Sequence, residues 1–210
     1  TLEEITKLRN QNIKLEGNLT DHNGDAIPDY TINLYFNENI IGSAITNSEG
    51  RYSFSDKDFS YETPGLHSIS ARLLDSESLI GSIANANLTL LATPSLVLDT
   101  NTKCELNAES DWLCKSKRNS DYNLSGILID ELGNPLNDIT ITFFREDTGY
   151  FEQITNNGGR FQFITPVNEE EIEITLEIEE NDIASTLKHD LLLTPQLRIN
   201  LNLNVIDPHR

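Results

Sequence analysis

Residues 15–36 read LEGNLTDHNGDAIPDYTINLYF, and residues 124–145 read LSGILIDELGNPLNDITITFFR. The second stretch aligns with the first without a gap, at an offset of 109 residues. The identical positions are Leu15, Gly17, Leu19, Asp21, Gly24, Asp29, Thr31 and Ile32, which match Leu124, Gly126, Leu128, Asp130, Gly133, Asp138, Thr140 and Ile141. A register held through both the apolar and the turn-forming positions indicates a duplicated module.

The repeat continues beyond this stretch. At the same offset, Gly50-Arg51 matches Gly159-Arg160. The later part of the module matches more loosely: residues 90–96 resemble residues 191–197 at an offset of 101. This predicts a deletion of about eight residues in the second copy, in the loops near 56–64 and 74–80.

Each copy has the pattern of an all-β unit. Leu15, Gly17 and Leu19 alternate with polar residues, as in a half-buried strand. Asn-Gly and Glu-Gly turns separate short runs rich in β-branched and aromatic residues. We therefore expect two tandem immunoglobulin-like (transthyretin-like) antiparallel β-sandwiches, each of about seven strands. The one helical candidate is a short segment over 2–8, and the alternative interpretation is a frayed linker.

The predicted organisation has two domains. Residues 1–95 form the first sandwich, and residues 96–210 form the second. The second carries an insert near 99–121 and ends in a C-terminal strand. The chain begins and ends within the repeat pattern, so we expect it to be a segment of a longer protein.

Composition excludes some partners. The chain has 34 acidic and 15 basic residues, a formal net charge of −19. A field of that sign repels phosphate backbones, so we expect no nucleic-acid partner. The sequence contains no apolar run of 18 residues, so we expect no membrane span.

The two cysteines and three sequons predict an oxidising, extracellular or cell-surface location. Cys104 and Cys114 are expected to form a structural disulfide; the alternative interpretation is a reactive thiol pair. Candidate N-glycosylation sites are Asn18, Asn87 and Asn123.

The repeated pattern Leu-x-Gly-x-Leu-x-Asp-x-x-Gly, followed by Thr-Asn-x-x-Gly-Arg-Tyr/Phe-x-Phe, resembles a broad family. These are the carboxypeptidase-regulatory-like and Cna-B-like domains of bacterial and archaeal surface proteins. The resemblance covers residues 15–54 and 124–163. It implies an immunoglobulin- or transthyretin-like sandwich that serves as a spacer, stalk, adhesin segment or appendage to an enzyme. The family shares no catalytic residues.

One turn carries a candidate cation site. Asp21, Asn23, Asp25 and Asp29 offer oxygen ligands of the kind Ca²⁺ prefers, and the alternative interpretation is a plain hairpin turn. No other cofactor is expected. The four histidines have no metal-ligand spacing and no serine stands in a nucleophile elbow, so we expect no enzyme. We expect His67 and His189 to face outward from strands.

An acidic stripe follows in the second copy. Residues 169–180 alternate glutamate with apolar residues. The apolar positions predict a core face. We interpret the acidic face as solvated, and as a guard against pairing between sheet edges.

Three functions fit these observations. The first is a non-catalytic structural or adhesive module, a spacer or stalk that contacts neighbouring immunoglobulin-like modules. The second is a filament subunit assembled by strand donation, with Leu197, Ile199, Leu201 and Leu203 as the donor strand or the stretch before Leu15 in that role. The third is an accessory carbohydrate-binding domain, for which Trp112 is the single tryptophan.

Overall fold

The computed structural model describes residues 3–76, 79–108, 111–145, 149–168 and 170–196. These residues form β-strands joined by turns and one short 3₁₀ turn, Thr100–Thr102, and they contain no α-helix. The predicted all-β fold is therefore confirmed. The strands are β1 Glu3–Leu8, β2 Ile13–Asn18, β3 Thr31–Phe36, β4 Asn39–Ile45, β5 Arg51–Lys57, β6 Gly65–Leu73, β7 Ser82–Leu91, β8 Ser95–Leu98, β9 Cys104–Leu106, β10 Trp112–Lys117, β11 Ser120–Ile129, β12 Thr140–Arg145, β13 Gly149–Ile154, β14 Arg160–Val167, β15 Ile172–Ile178 and β16 Leu187–Gln196.

The chain divides into two units. Unit 1 comprises the chain up to Pro94 together with Glu179–Thr186, and unit 2 comprises Ser95–Ile178 and the chain from Leu187. The predicted boundaries, 1–95 and 96–210, place the β15–β16 connection in the second domain. In the structure this connection belongs to unit 1, where Ala92 donates its N–H to the carbonyl of Ile183 at 2.8 Å.

Unit 1 is a sandwich of two sheets. A five-stranded sheet has the order β1-β7-β6-β3-β4, and β2 pairs with β5 in a second sheet. Side chains from both sheets meet in one core, which includes Ile13 and Phe54 from the small sheet and Leu34, Ile69 and Leu88 from the large one. Period-2 alternation places these apolar side chains on the inner faces.

Unit 2 repeats this plan with two additions. Its large sheet has the order β13-β12-β15-β16-β10-β9, and its small sheet has the order β14-β11-β8. The Phe143 ring of β12 stacks on the Phe163 ring of β14 at 4.6 Å between centroids. Compared strand by strand with unit 1 over the described residues, β8 and β9 are the extra strands.

The offset of 109 residues holds in the structure through the first half of each unit. β3 and β12 occupy Thr31–Phe36 and Thr140–Arg145. β1 and β10, Glu3–Leu8 and Trp112–Lys117, keep the same offset. Each of these two strands pairs in parallel with the last strand of its unit, β1 with β7 and β10 with β16. Neither the candidate helix nor a linker is found at residues 3–8, because this segment forms β1 and pairs with β7.

The offset in the second half of the units differs from the predicted 101. Asn33 pairs with Arg72, and the matching Thr142 pairs with Glu177. The difference from Arg72 to Glu177 is 105, and β7 and β16 keep it. The second copy has therefore lost four residues between β14 and β15, fewer than predicted. The two Thr-Pro dipeptides do not correspond in the fold: Pro94 follows β7, whereas Pro195 lies within β16.

Two orientation predictions are corrected. His67 is buried: its Nδ1 lies 2.9 Å from Asn37 Nδ2, and its Nε2 lies 2.7 Å from the Thr63 carbonyl. The apolar face of the acidic stripe is buried as predicted, since buried residues in β15 alternate with exposed or half-buried ones. However, β15 lies between β12 and β16. Its glutamates therefore do not guard an edge.

Core burial predicts unequal costs for matched substitutions in the two units. Leu128 of β11 is fully buried, whereas the matching Leu19 of unit 1 is partly buried. We expect Leu128→Ala to lower the free energy of unfolding of unit 2 by about 2–5 kcal/mol and Leu19→Ala to cost less in unit 1. Urea unfolding followed by far-UV circular dichroism measures both, and fluorescence of Trp112 in unit 2 identifies the unit 2 transition. An equal or larger cost for Leu19→Ala would contradict this account of the cores.

Candidate functional site

The small sheet of unit 2 is completed by the strand that enters the unit. β8 pairs antiparallel with β11, with Val97 opposite Ile127 and Leu98 opposite Gly126. Asp99 extends the ladder by donating its N–H to the Ser125 carbonyl at 2.9 Å. In an antiparallel ladder the N–H and C=O groups of one residue point to the same side, so Ser125 and Ile127 direct their backbone groups towards β8.

A glycine permits this close approach. A Cβ added at Gly126 would lie 2.5 Å from the Val97 carbonyl oxygen and 3.1 Å from the Leu98 Cα. β8 also contributes to the core, because Leu96 is buried. The strand therefore supplies both backbone hydrogen bonds and apolar packing.

The large sheet of unit 2 is extended by β9. This strand pairs with β10 so that Cys104 stands opposite Cys114, and the two form the predicted disulfide with 4.0 Å between their Cα atoms. Beneath it, Tyr122 donates its hydroxyl to the Thr102 carbonyl at 2.6 Å. Burial raises the pKa of Tyr122 to about 12. The phenol therefore stays a neutral donor that fixes the turn before β9.

The corresponding edges of unit 1 have no strand beside them in the described part of the chain. β2 is the counterpart of β11, and its one strand partner there is β5. β1 is the counterpart of β10, and its one strand partner there is β7. By the offset of 109, Glu16 and Asn18 correspond to Ser125 and Ile127. Their backbone groups therefore face the open edge of β2.

The core beside the open β2 edge is incompletely covered. Leu15 and Leu19 are partly buried, whereas the matching Leu124 and Leu128 are fully buried. A cleft lies between β2 and the facing strands of the large sheet, lined by Ile5, Leu15, Leu34, Ile69, Ala86 and neighbouring residues. We call β2 together with this cleft the open edge of unit 1.

Tyr52 covers part of the open edge. A Cβ added at Gly17 would overlap the Tyr52 hydroxyl, whereas at the matching Gly126 the nearest atom belongs to the β8 backbone. Tyr52 corresponds to Phe161 of unit 2 by the offset of 109. Burial raises the pKa of Tyr52, so its phenol is neutral at physiological pH. Each glycine therefore lies under the aromatic ring of its ladder partner, because Phe161 Cζ would stand 3.0 Å from a Cβ added at Gly126.

The candidate Ca²⁺ ligands lie in a turn closed by its own hydrogen bonds. Asp21 Oδ1 accepts the N–H groups of Asn23 and Asp25, each at 2.9 Å. Asp29 has a φ of 63°, a left-handed conformation that aspartate tolerates better than most residues, and its counterpart Asp138 has a φ of 59°. This backbone requirement explains why both copies carry aspartate there.

The Ca²⁺ prediction remains untested by this geometry. Among the described residues there is no group of three or more His, Cys, Asp or Glu side chains placed to hold a metal ion. The Asn23 side chain, which could offer an oxygen ligand, directs its amide nitrogen to Asp21 Oδ2 at 3.4 Å.

The sequon asparagines lie on strands. Asn18 and Asn123 are exposed on β2 and β11 at positions that do not correspond in the repeat, and Asn87 is half-buried within β7. Asn123 accepts a hydrogen bond from Gln162 Nε2 at 3.0 Å. Occupancy by glycan remains a prediction. The predicted donor residues Leu197, Ile199, Leu201 and Leu203 lie outside the described residues.

The sequence analysis missed two surface features. Phe144 and Tyr150 are exposed neighbours on β12 and β13, with 6.2 Å between ring centroids and 45° between ring planes. Because the two rings are tilted by 45°, they do not form the flat aromatic surface on which a sugar ring would stack. The second feature is the open edge, which period-2 patterns cannot reveal because they do not report which strands are neighbours.

Comparisons with known proteins do not identify a family. No protein-family model matches the chain, and no curated protein matches it. The fibronectin(III)-like modules of CbhA from Clostridium thermocellum are 11% identical with a TM-score of 0.37, covering 97% of this chain and 95% of that one. A tetra-tandem repeat from the extending region of a large adhesion protein is 14% identical with a TM-score of 0.47, covering 92% of this chain and 48% of that one.

Sidekick-1 immunoglobulin domains 1–5 are 10% identical with a TM-score of 0.47, covering 92% of this chain and 38% of that one. Similarities of this size carry no argument about function. The resemblance to carboxypeptidase-regulatory-like and Cna-B-like domains therefore stays a prediction. In the part of the chain that the structure describes, no helix is long and apolar enough to cross a membrane.

The disulfide predicts a measurable contribution to stability. Replacing both cysteines, Cys104→Ala with Cys114→Ala, should lower the free energy of unfolding of unit 2 by about 2.5–3 kcal/mol, because the unfolded chain regains the entropy of an open loop. Urea unfolding followed by Trp112 fluorescence measures the loss. Reduction of the unaltered chain serves as the control and should give a similar loss, and an unchanged unfolding midpoint in both samples would contradict the prediction.

The turn at Asp21 predicts a pH effect. Hydrogen bonds from the backbone N–H groups of Asp25 and Asn23 lower the pKa of Asp21 below its usual 3.8. A lowered folded-state pKa stabilises the fold above the unfolded pKa, and this contribution is lost as pH falls through the folded pKa. A carboxyl ¹³C titration should show a midpoint below 3.8 in buffer and an ordinary midpoint in urea. The same midpoint in both would show that the turn does not favour the carboxylate.

Proposed function

We propose that this chain is a non-catalytic extracellular structural module that bears tension as a spacer or stalk segment of a larger surface protein. The observation that carries the proposal is a parallel pair of strands in the large sheet of each unit, β1 with β7 and β10 with β16. β1 pairs with β7 from Glu3 opposite Ala86 to Leu8 opposite Leu91. β10 pairs with β16 over a ladder of the same length.

Parallel pairing of this kind resists stretching. When the start of β1 and the end of β7 are pulled apart, the two strands slide past each other along their own axes. All hydrogen bonds of the ladder are then strained together. In a hairpin pulled from its open end, by contrast, the bonds break one at a time. Each bond contributes about 0.5–1.5 kcal/mol net, so their joint rupture presents a much higher barrier than sequential opening.

The disulfide fits the same role in unit 2. It joins Cys104 directly to Cys114 on β10. Force that arrives through β8 and β9 therefore passes across the sulfur bridge to β10, and residues 105–113 cannot be drawn out. A disulfide also persists best outside the cytosol, which supports an extracellular location.

The surface charge supports a soluble, exposed module. A net charge of −19 opposes self-precipitation and binding to other polyanions. The described ion pairs, such as Lys14–Glu16 and Lys188–Glu177, are exposed or nearly so. Pairs of this kind contribute little to stability, so the strand ladders and the two cores remain the main source of mechanical strength.

Single-molecule stretching of the whole chain between terminal handles tests the proposal. The backbone N–H of Arg9 donates to the carbonyl oxygen of Leu91 in β7 at 2.9 Å. Because successive residues point their N–H groups to opposite edges of a strand, Lys7 also donates towards β7, and Thr6 points away. Lys7→Pro removes the hydrogen bond that the Lys7 N–H donates to β7. We expect this variant to raise the unfolding rate of unit 1 at constant force by about 2- to 10-fold.

Thr6→Pro is the matched control. Proline is tolerated on an edge strand where the lost N–H faced solvent, so this variant should unfold at nearly the force of the unaltered chain. The spacer proposal would be contradicted if unit 1 unfolded at forces near those of an unpaired chain. Equal weakening by both proline variants would show that the β1–β7 ladder is not the clamp.

A further inference from the structure

We propose that β13, the strand at one edge of the large sheet of unit 2, binds an extended, basic segment of a partner protein by strand addition. The partner strand would lie antiparallel beside Gly149–Ile154 and extend this sheet by one strand. This binding goes beyond the tension-bearing role, and either could hold without the other.

The outer edge of the β13 backbone offers unpaired hydrogen-bonding groups. β13 pairs with β12 alone, and just beyond the ladder Thr155 donates its N–H to the Ile139 carbonyl at 2.9 Å. Because successive residues of a strand direct their backbone groups to opposite edges, Tyr150, Glu152 and Ile154 direct theirs away from β12. None of these three has a backbone hydrogen-bond partner in the described part of the chain. They can therefore pair with an incoming strand.

The matching edge of unit 1 is closed by a lysine. Lys57 of β5 donates from its Nζ to the Ile41 carbonyl of β4 at 3.0 Å. The lysine side chain lies against Gly42, where an added Cβ would stand 2.6 Å from Lys57 Nζ. A lysine beside an edge strand opposes the addition of a further strand.

Unit 2 lacks this lysine and carries an aromatic residue in place of the glycine. By the offset of 109, Phe151 stands where unit 1 has Gly42. Pro166 stands where unit 1 has Lys57, and it has no N–H with which to reach the Tyr150 carbonyl. The two exchanges turn a guarded edge into an accessible one.

Exposed apolar side chains flank this edge on both faces of the sheet. Tyr150 and Ile154 point to the outer face, whereas the Phe151 ring lies on the core side, 5.8 Å from the Phe163 ring. Tyr150, Phe151 and Ile154 are each more than half exposed. A strand beside β13 would remove apolar surface of all three from water, which favours docking.

Charge selects a basic partner. Residues 146–152 read EDTGYFE, with three acidic residues and no basic one. Glu152 is exposed and has no ion-pair partner among the described residues. A lysine or arginine directly opposite Glu152 would pair with its carboxylate and could also contact the neighbouring Tyr150 ring. The net charge of −19 attracts such a segment from a distance.

A second copy of this chain fits the edge poorly. Two β13 strands paired about a two-fold axis would bring two acidic segments together, and like charges at cross-strand positions are destabilising. Two chains of net charge −19 also repel each other. The observations therefore favour a different protein as the partner.

Fluorescence anisotropy of a labelled peptide in which lysine and valine alternate tests the proposal on the full chain. In an antiparallel ladder the residue opposite Glu152 turns its N–H towards β13, so the lysine N–H groups would form the ladder. We expect saturable binding that N-methylation of the lysines weakens about 10-fold or more and N-methylation of the valines leaves unchanged. Both methylated peptides keep the charge of the parent peptide. No loss for the lysine-methylated peptide would overturn the proposal.

Variants of the chain locate the site. Glu152→Lys should weaken binding about 5-fold or more at low salt. The control Glu105→Lys makes the same change of charge on β9, at the opposite edge of the same sheet, and should bind like the unaltered chain. Phe151→Gly with Pro166→Lys installs the residues of the unit 1 edge and should abolish binding. Circular dichroism and the Trp112 unfolding midpoint establish that each variant is folded.

Two further results would overturn the proposal. One is equal weakening by Glu152→Lys and Glu105→Lys, which would show that the peptide responds to net charge and not to β13. The other is a dimer of the unaltered chain alone, seen by light scattering and dissociated by Glu152→Lys, which would make this edge a contact between copies. Neither result would bear on the stretching measurements, which use single chains without peptide.

Discussion

Backbone pairing along the strand edges is the constraint on which both units depend. A buried N–H or C=O group left without a partner costs about 1–3 kcal/mol, so a sandwich is stable only where its edges are paired, exposed to water or covered. In unit 2 the segment before β10 meets this constraint twice, with β8 along β11 and β9 along β10. In unit 1 the described residues leave both corresponding edges open to solvent.

The same constraint explains how the two copies differ in burial. β8 contributes the buried Leu96, which stands opposite the fully buried Leu128 in the β8–β11 ladder. In unit 1, Leu15 and Leu19 stay partly exposed. Both units pair a first strand with a last strand in the large sheet. Unit 2 differs by a third strand in its small sheet and a sixth strand in its large sheet.

Sequence patterns predicted the strands well where alternation and turn residues were both present. The identical glycines and aspartates of the repeat mark turns and close approaches, and Asp29 and Asp138 both adopt positive φ. The pattern did not identify residues 3–8 as a strand, because their structure depends on pairing with β7. It also failed for His67, whose burial depends on Asn37 and Thr63 from elsewhere in unit 1.

The candidate site itself could not be predicted from alternation, because an edge is a property of neighbouring strands. The Thr-Pro dipeptides even suggested a misleading alignment. Local similarity placed Pro94 on Pro195, whereas the ladders relate β7 to β16 by 105 residues and place Pro195 within a strand. The disulfide was predictable from two cysteines in a polar stretch, but its place opposite a strand partner on β10 was not.

Native-state hydrogen exchange at low protein concentration tests the central claim most directly. The claim is that the small sheet of unit 2 is closed by β8 while its counterpart in unit 1 is open. Ile127 and Asn18 occupy matching positions and direct their amides to matching edges. We predict that the Ile127 amide exchanges slowly and that the Asn18 amide exchanges at nearly the rate of an unpaired amide. Equal protection of the two amides in the dilute monomer would contradict the account.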